Sequence, residues 1–139
     1  MENSTNTVEI ETAKPRDAIL AEYERNAAQF TGTEHYYEIY PNFLLTDGVK
    51  YFANTCSAYW LLDVIWSHMR TNKKCVDESF VVCKLHVLKN DTAQVRLEDG
   101  NDNLLASQTI EYTDFPLNSI TLYVQNNGEY NVVMLPSEY

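Results

Sequence analysis

At 139 residues the chain has the length of one domain, and an apolar fraction of 45% is enough to close a core. Aromatic residues at 12%, ten of them Tyr, exclude disorder along the whole chain. A formal net charge of −10 disfavours direct contact with nucleic acid, whose phosphates an acidic surface repels.

That charge is sorted. Residues 1–69 sum to −6, residues 70–96 to +3, and residues 97–139 to −7, with no Lys or Arg in the last stretch. Such a field suits a basic protein partner, including one whose ordinary ligand is nucleic acid. Three cysteines, Cys56, Cys75 and Cys83, make a disulfide framework a poor reading and fit a reducing compartment. The opening residues lack a basic stretch followed by an apolar one, so no signal peptide is read. The most apolar run, Ala58 to Trp66, is interrupted by Asp63 and falls far short of the ~20 residues of a membrane span. The expectation is a cytoplasmic protein.

Residues 1–14 are polar and read as a mobile tail, followed by one α+β domain over 15–139. Ile19, Leu20, Tyr23, Ala27 and Phe30 recur at three- and four-residue spacing and predict a helix over 16–30, stopped by Gly32. Residues 33–45 read as a short strand or an irregular segment, with Pro41-Asn42 as a turn. Thr46-Asp47-Gly48 is a helix start, because a Thr or Asp oxygen satisfies the free N–H groups of a first turn. From there to Arg70 the pattern is helical, with Val49, Phe52, Ala53, Cys56, Tyr59, Trp60 and Val64 on one stripe. Ser57 is a candidate N-cap for a second helix within it. Arg70 to Lys74 reads as a basic linker.

After that linker the period changes to two. Val81, Cys83, Leu85 and Val87 alternate with Val82, Lys84 and His86, and Ala93, Val95 and Leu97 alternate with Gln94, Arg96 and Glu98 after a turn at Asn90-Asp91. Asp99-Gly100-Asn101-Asp102 and Asn127-Gly128 are hairpin signals. Leu104, Ala106 and Ile110, then Ile120, Leu122 and Val124, then Tyr130, Val132 and Met134 complete the pattern. The fold class expected is α+β: N-terminal helices packed on one face of a C-terminal antiparallel β-meander of about five strands.

Chemistry is sparse. Cys83 and His86 have zinc-like spacing, but on a strand they point to opposite faces, so no metal site is predicted. Cys56 lies on the buried stripe, where a thiol is ordinarily packing. Four glycines leave no phosphate-cradling loop, and no cofactor or catalytic residue is assigned. Asp63 stands out, since a carboxylate inside an apolar run needs partners or faces water. A ligand pocket lined by Tyr36, Tyr37, Tyr59, Trp60 and Asp63 is one reading. The other is a partner surface of Glu98, Asp99, Asp102, Glu111, Asp114 and Tyr123. Ser107, Thr109, Thr121 and Tyr123 are expected to share the outward face of the sheet, with Glu111 at its edge.

Phe30-Thr-Gly-Thr-Glu-His-Tyr-Tyr37, Thr46-Asp-Gly-Val-Lys-Tyr51, Ala58-Tyr-Trp-Leu-Leu-Asp63, Thr113-Asp-Phe-Pro-Leu117 and Leu135-Pro-Ser-Glu-Tyr139 resemble an uncharacterised family of small bacterial proteins, catalogued as a domain of unknown function. The resemblance spans about residues 28–139. It implies a role in conflict between phage or plasmid and host, and lends no functional residue. Read physically, Thr113-Asp114-Phe115-Pro116 is a turn aiming Phe115 into the core. The function expected is that of a non-enzymatic acidic interaction domain, an inhibitor encoded on a mobile element and binding a basic nucleic-acid-handling protein. The alternative is a small-molecule binder or enzyme working through the Asp63 pocket.

Overall fold

The computed structural model describes residues 16–139, so the tail expected over residues 1–14 lies outside the described residues. In chain order the elements are α1 (Arg16–Ala27), β1 (Tyr36–Tyr40), β2 (Phe43–Thr46), α2 (Asp47–Cys56), α3 (Tyr59–Thr71) and α4 (Lys73–Val76). Then follow β3 (Phe80–Val87), β4 (Ala93–Asp99), β5 (Leu104–Ile110), β6 (Ser119–Asn126), β7 (Asn131–Met134) and a 3₁₀ turn, Pro136–Glu138.

Each helix boundary has a local cause. Thr46 accepts the Val49 amide and starts α2. Ser57 does not cap the following helix as its side chain suggested; it sits at φ 52 in the left-handed region and closes α2. The break resets the helical phase. The buried residues of α3 are Leu61, Leu62, Ile65 and Met69, while Tyr59 and Asp63 turn outward. The expected basic linker is also corrected. α3 runs on to Thr71, and Asn72 caps α4 by accepting the Lys74 amide. The first helix ends at Ala27, three residues before Phe30.

The five C-terminal strands occur where their alternation places them, but they do not form a meander. One seven-stranded mixed sheet has the order β1-β2-β7-β6-β3-β4-β5. Residues 33–45 supply two of its strands, a hairpin turning at Pro41 and Asn42, the latter at φ 59. β2 pairs with β7 in parallel, and β6 leaves β5 to pair with β3. The connector 111–118 is what carries the chain across. It buries Phe115, Pro116 and Leu117, and its ends are tied over the β3–β4 turn by Thr113 N–H to Asp91 O (2.7 Å) and Val87 N–H to Asn118 O (2.9 Å). Burial of that apolar loop outweighs the short hairpin that would have put β6 beside β5.

Alternate strand residues meet the helices in one core: Val81, Cys83 and Leu85, Val95 and Leu97, Leu122 and Val124, Val133, and Phe43 and Leu45 from β2. The opposite face carries the outward row Thr121, Lys84, Arg96 and Ser107, read across β6, β3, β4 and β5. Ser107 and Thr109 therefore share the outward face with Thr121 and Tyr123 as expected, but β3 and β4 lie between them, about 14 Å across, so the four do not lie together.

Phe115 joins loop to helices, edge-on to Phe52 (5.9 Å) and to Trp60 (6.1 Å). Truncating it leaves a cavity under the crossing connector. Phe115→Ala is expected to cost about 3–5 kcal/mol of unfolding free energy, read from urea denaturation.

Candidate functional site

Two carboxylates near the start of α2 gather most of the quoted motifs. Glu138 reaches across from the last turn: Thr46 Oγ1–H donates to its Oε1 (2.6 Å), the Gly48 N–H to Oε2 (2.9 Å), and the Leu135 N–H to Oε1 (2.9 Å). An anion here also meets the positive end of the helix dipole. Asp47, next door, accepts the Glu34 N–H (2.8 Å), the His35 N–H (3.3 Å) and the Tyr37 hydroxyl (2.8 Å). The Asp47 N–H in turn donates to Thr33 Oγ1 at 2.8 Å. Ser137 Oγ–H donates to the Phe30 carbonyl at 2.7 Å, and the Phe30 ring stacks on Tyr51. Both carboxylates are thus occupied by the chain's own donors. The cluster is a clasp rather than a ligand site.

Gly48 permits the clasp. A Cβ there would stand 2.6 Å from Glu138 Oε1 and 2.7 Å from Leu135 Cδ1. Both atoms end flexible side chains, but the Glu138 carboxylate is held by three donors, two of them on Oε1, and Leu135 is buried.

The five residues of the expected pocket do not converge. Asp63 and Tyr36 are exposed, Tyr37 is bound to Asp47, and the Tyr59 hydroxyl donates to Asn54 Oδ1 (2.9 Å). Trp60 packs on Phe115. Burial pushes the Cys56 thiol up to about 12, which suits packing and not a nucleophile at neutral pH. Cys83 is buried whereas His86 is exposed on the opposite side, and no group of three metal-binding side chains occurs among the described residues.

The six partner-surface residues are divided. Glu98 is withdrawn, with its side chain only 7% exposed: Lys84 Nζ lies 2.9 Å from Oε1, and Arg96 Nε donates to Oε2 at 3.1 Å. Those contacts, the Lys84 hydrogen bond first, lower its pKa. Asp99 folds its own turn, accepting the Asn101 N–H (2.8 Å) and the Asn103 N–H (2.9 Å). Asp102 is open and 3.9 Å from Lys84. Glu111 and Asp114 lie beyond the far end of β5, about 20 Å along the strand.

Tyr123 leads to what sequence reasoning missed. Its ring meets Phe80 (5.1 Å) and Tyr139 (5.7 Å), and Phe80 meets Tyr139 (5.2 Å), so three rings contact one another. Beside them opens a cleft of about 410 Å³ that includes Phe80, Gln125, Asn127, Tyr130 and Tyr139 in its wall. The β4–β5 turn abuts it, since a Cβ on Gly100 would stand 3.7 Å from Phe80 Cδ2. Period-two alternation does place Phe80 and Tyr123 outward. Nothing in it foretells that the last residue folds back onto them.

Comparison with known proteins bears on this geometry. Residues 21–139 match a family of unknown function, DUF6876. The chain belongs to that family. No curated protein matches it. A crystal structure of a protein of unknown function from Enterococcus faecalis is similar in fold, with a TM-score of 0.50 at 18% identity, covering 73% of this chain and 93% of that one. No helix among the described residues is long and apolar enough to cross a membrane.

Two outcomes test the clasp. Alanine normally improves a helix over glycine, but Gly48→Ala is expected to lower stability by about 1–3 kcal/mol, because Glu138 must leave its donors. The Asp47 carboxyl, held below its usual range by the Glu34 amide first and the Tyr37 hydroxyl second, adds stability that is complete above that range. This stability disappears as pH falls through the lowered folded value. Asp47→Asn should therefore flatten the acid limb of a stability-versus-pH curve measured by denaturation.

Proposed function

We propose that the protein is an interaction domain whose three-ring cleft takes Lys and Arg side chains of a basic partner. The observation that carries this reading is the Phe80–Tyr123–Tyr139 cluster, set between the β4–β5 turn with Asp99 and Asp102 and the β6–β7 turn with Glu129. A cation over an aromatic face is attracted by the ring, and more strongly when carboxylates stand near. The chain already makes such contacts within itself, with Lys50 Nζ 4.0 Å from the Tyr37 ring centre and Arg70 4.5 Å from that of Trp66. Residues 97–139 carry no cation of their own, and Lys84, 3.9 Å from Asp102, is the base a partner would displace there. Proteins that handle nucleic acid present the required basic segments, and a domain meeting them on this surface blocks phosphate binding by occupying the same side chains. In this reading the inhibition occurs in the cytoplasm, in keeping with the three unpaired cysteines, and serves conflict between mobile elements and their hosts, as the family resemblance implies.

An Arg-rich peptide with a fluorescent label tests the reading by anisotropy. Binding should weaken steadily as salt rises, and Tyr139→Ala and the pair Asp102→Lys, Glu129→Lys should each reduce affinity about tenfold. Affinity equal to wild type in both variants would remove the cleft from consideration.

A further inference from the structure

Edge strands present unpaired N–H and C=O groups, and proteins ordinarily guard them with charge, proline, brevity or a bulge. The two edges of this sheet differ in that respect. β1 has five residues, carries Glu38, shifts register between Glu38 and Tyr40, and runs into Pro41. β5 is Leu-Leu-Ala-Ser-Gln-Thr-Ile, seven residues without a charge or a proline. Its bulge falls at Leu105, where Ala106 faces Leu97 but Leu104 faces Glu98, and the stretch from Ala106 to Ile110 stays in regular register. Apart from the ladder to β4, no backbone–backbone hydrogen bond among the described residues involves Leu104 to Ile110.

We infer that β5 is the dimerisation edge, pairing antiparallel with β5 of a second copy about a two-fold axis at Gln108. The occupant follows from the strand's self-complementarity. Centred on Gln108, the pairing sets Ala106 against Ile110 of the second copy on the core side, and Ser107 against Thr109 on the outer side, where hydroxyl pairs are favourable. Leu104 begins the strand and Tyr112 lies just past its end; they are two of the large apolar side chains left in water, 45% and 72% exposed, and the symmetry gathers both at the ends of the seam. No acid lies within the paired stretch from Ala106 to Ile110. A chain of net charge −10 repels its own copies overall, and an edge strand without charge adds nothing to that repulsion. The inference goes beyond the proposed function and does not rest on it.

Sedimentation equilibrium and directed cross-linking test it. The full chain should show a concentration-dependent shift from 16.1 kDa toward twice that mass. Added salt should strengthen the association by screening like charges, the reverse of its effect on a basic ligand. Ser107→Lys, on the exposed outer side, should abolish the dimer while keeping the melting temperature that wild type shows when diluted to monomer. Gln108→Cys sits on the axis, where opposed Cα atoms in an antiparallel pair are about 4.5–5.5 Å apart and within disulfide reach. The three native cysteines are buried, so a dimer should form on mild oxidation and run as such on a non-reducing gel. A single 16.1 kDa species at every concentration, a dimer indifferent to Ser107→Lys, or a Gln108→Cys variant that stays monomeric on the gel would each overturn the proposal.

Discussion

The approach of Glu138 to the first turn of α2 is the contact on which the arrangement depends. Three donors converge on one carboxylate from three places in the chain: the end of β2, the second residue of α2, and the turn after β7. β2 and β7 are also the parallel pair of the sheet. Parallel neighbours need a long connection, and here more than eighty residues of chain separate them. The clasp therefore fixes the register of the least local pairing in the fold. It is made by a hydrogen-bonded charge on a helix start, which is stronger than neutral bonding in the same place.

A second consequence reaches the open surface. Because Glu138 is held at α2, the chain is turned so that Tyr139 lies over Phe80 and Tyr123. The ring cluster is thus positioned by the clasp, although it shares no residue with it. A change that frees Glu138 should loosen the cleft before it unfolds the sheet, since β3 and β6 hold Phe80 and Tyr123 independently. Stability and surface shape are coupled through one side chain, and mutational data on either need reading with the other in view.

Much of the secondary structure was legible. All five C-terminal strands, the break near Ser57 and the Thr46 cap follow from periodicity and capping chemistry, which are local properties. Strand order was not legible, because the choice between β5 and β3 as the neighbour of β6 is made by burial of Phe115 and Leu117, and alternation within a strand carries no information about its partner. The hairpin at 36–46 was half seen; its first strand mixes exposed Tyr36 and Glu38 with half-buried Tyr37, Ile39 and Tyr40, and its bulge spoils the period. The partner surface failed in a different way. Glu98 looked like part of an acidic skin because the nearest bases in sequence, Lys84 and Arg96, appeared to belong to a separate basic stretch. Antiparallel pairing of β3 with β4 puts Lys84 directly opposite Arg96, two residue pairs from Glu98 and on the same face, so both cations reach the one carboxylate.

The acidic surface is therefore interrupted in the middle of the sheet. With Glu98 between Lys84 and Arg96, and Asp102 3.9 Å from Lys84, two carboxylates and two cations balance along the outer face of β3 and β4. An acidic domain built this way does not repel uniformly. In the proposed function a basic ligand meets the end of the sheet that carries Asp99, Asp102 and Glu129, while in the proposed dimer a second copy meets the uncharged middle of β5. Charge sorting of this kind separates the two surfaces by chemistry as well as by position. Ionic strength, which opposes one association and assists the other, acts on each through the same set of carboxylates.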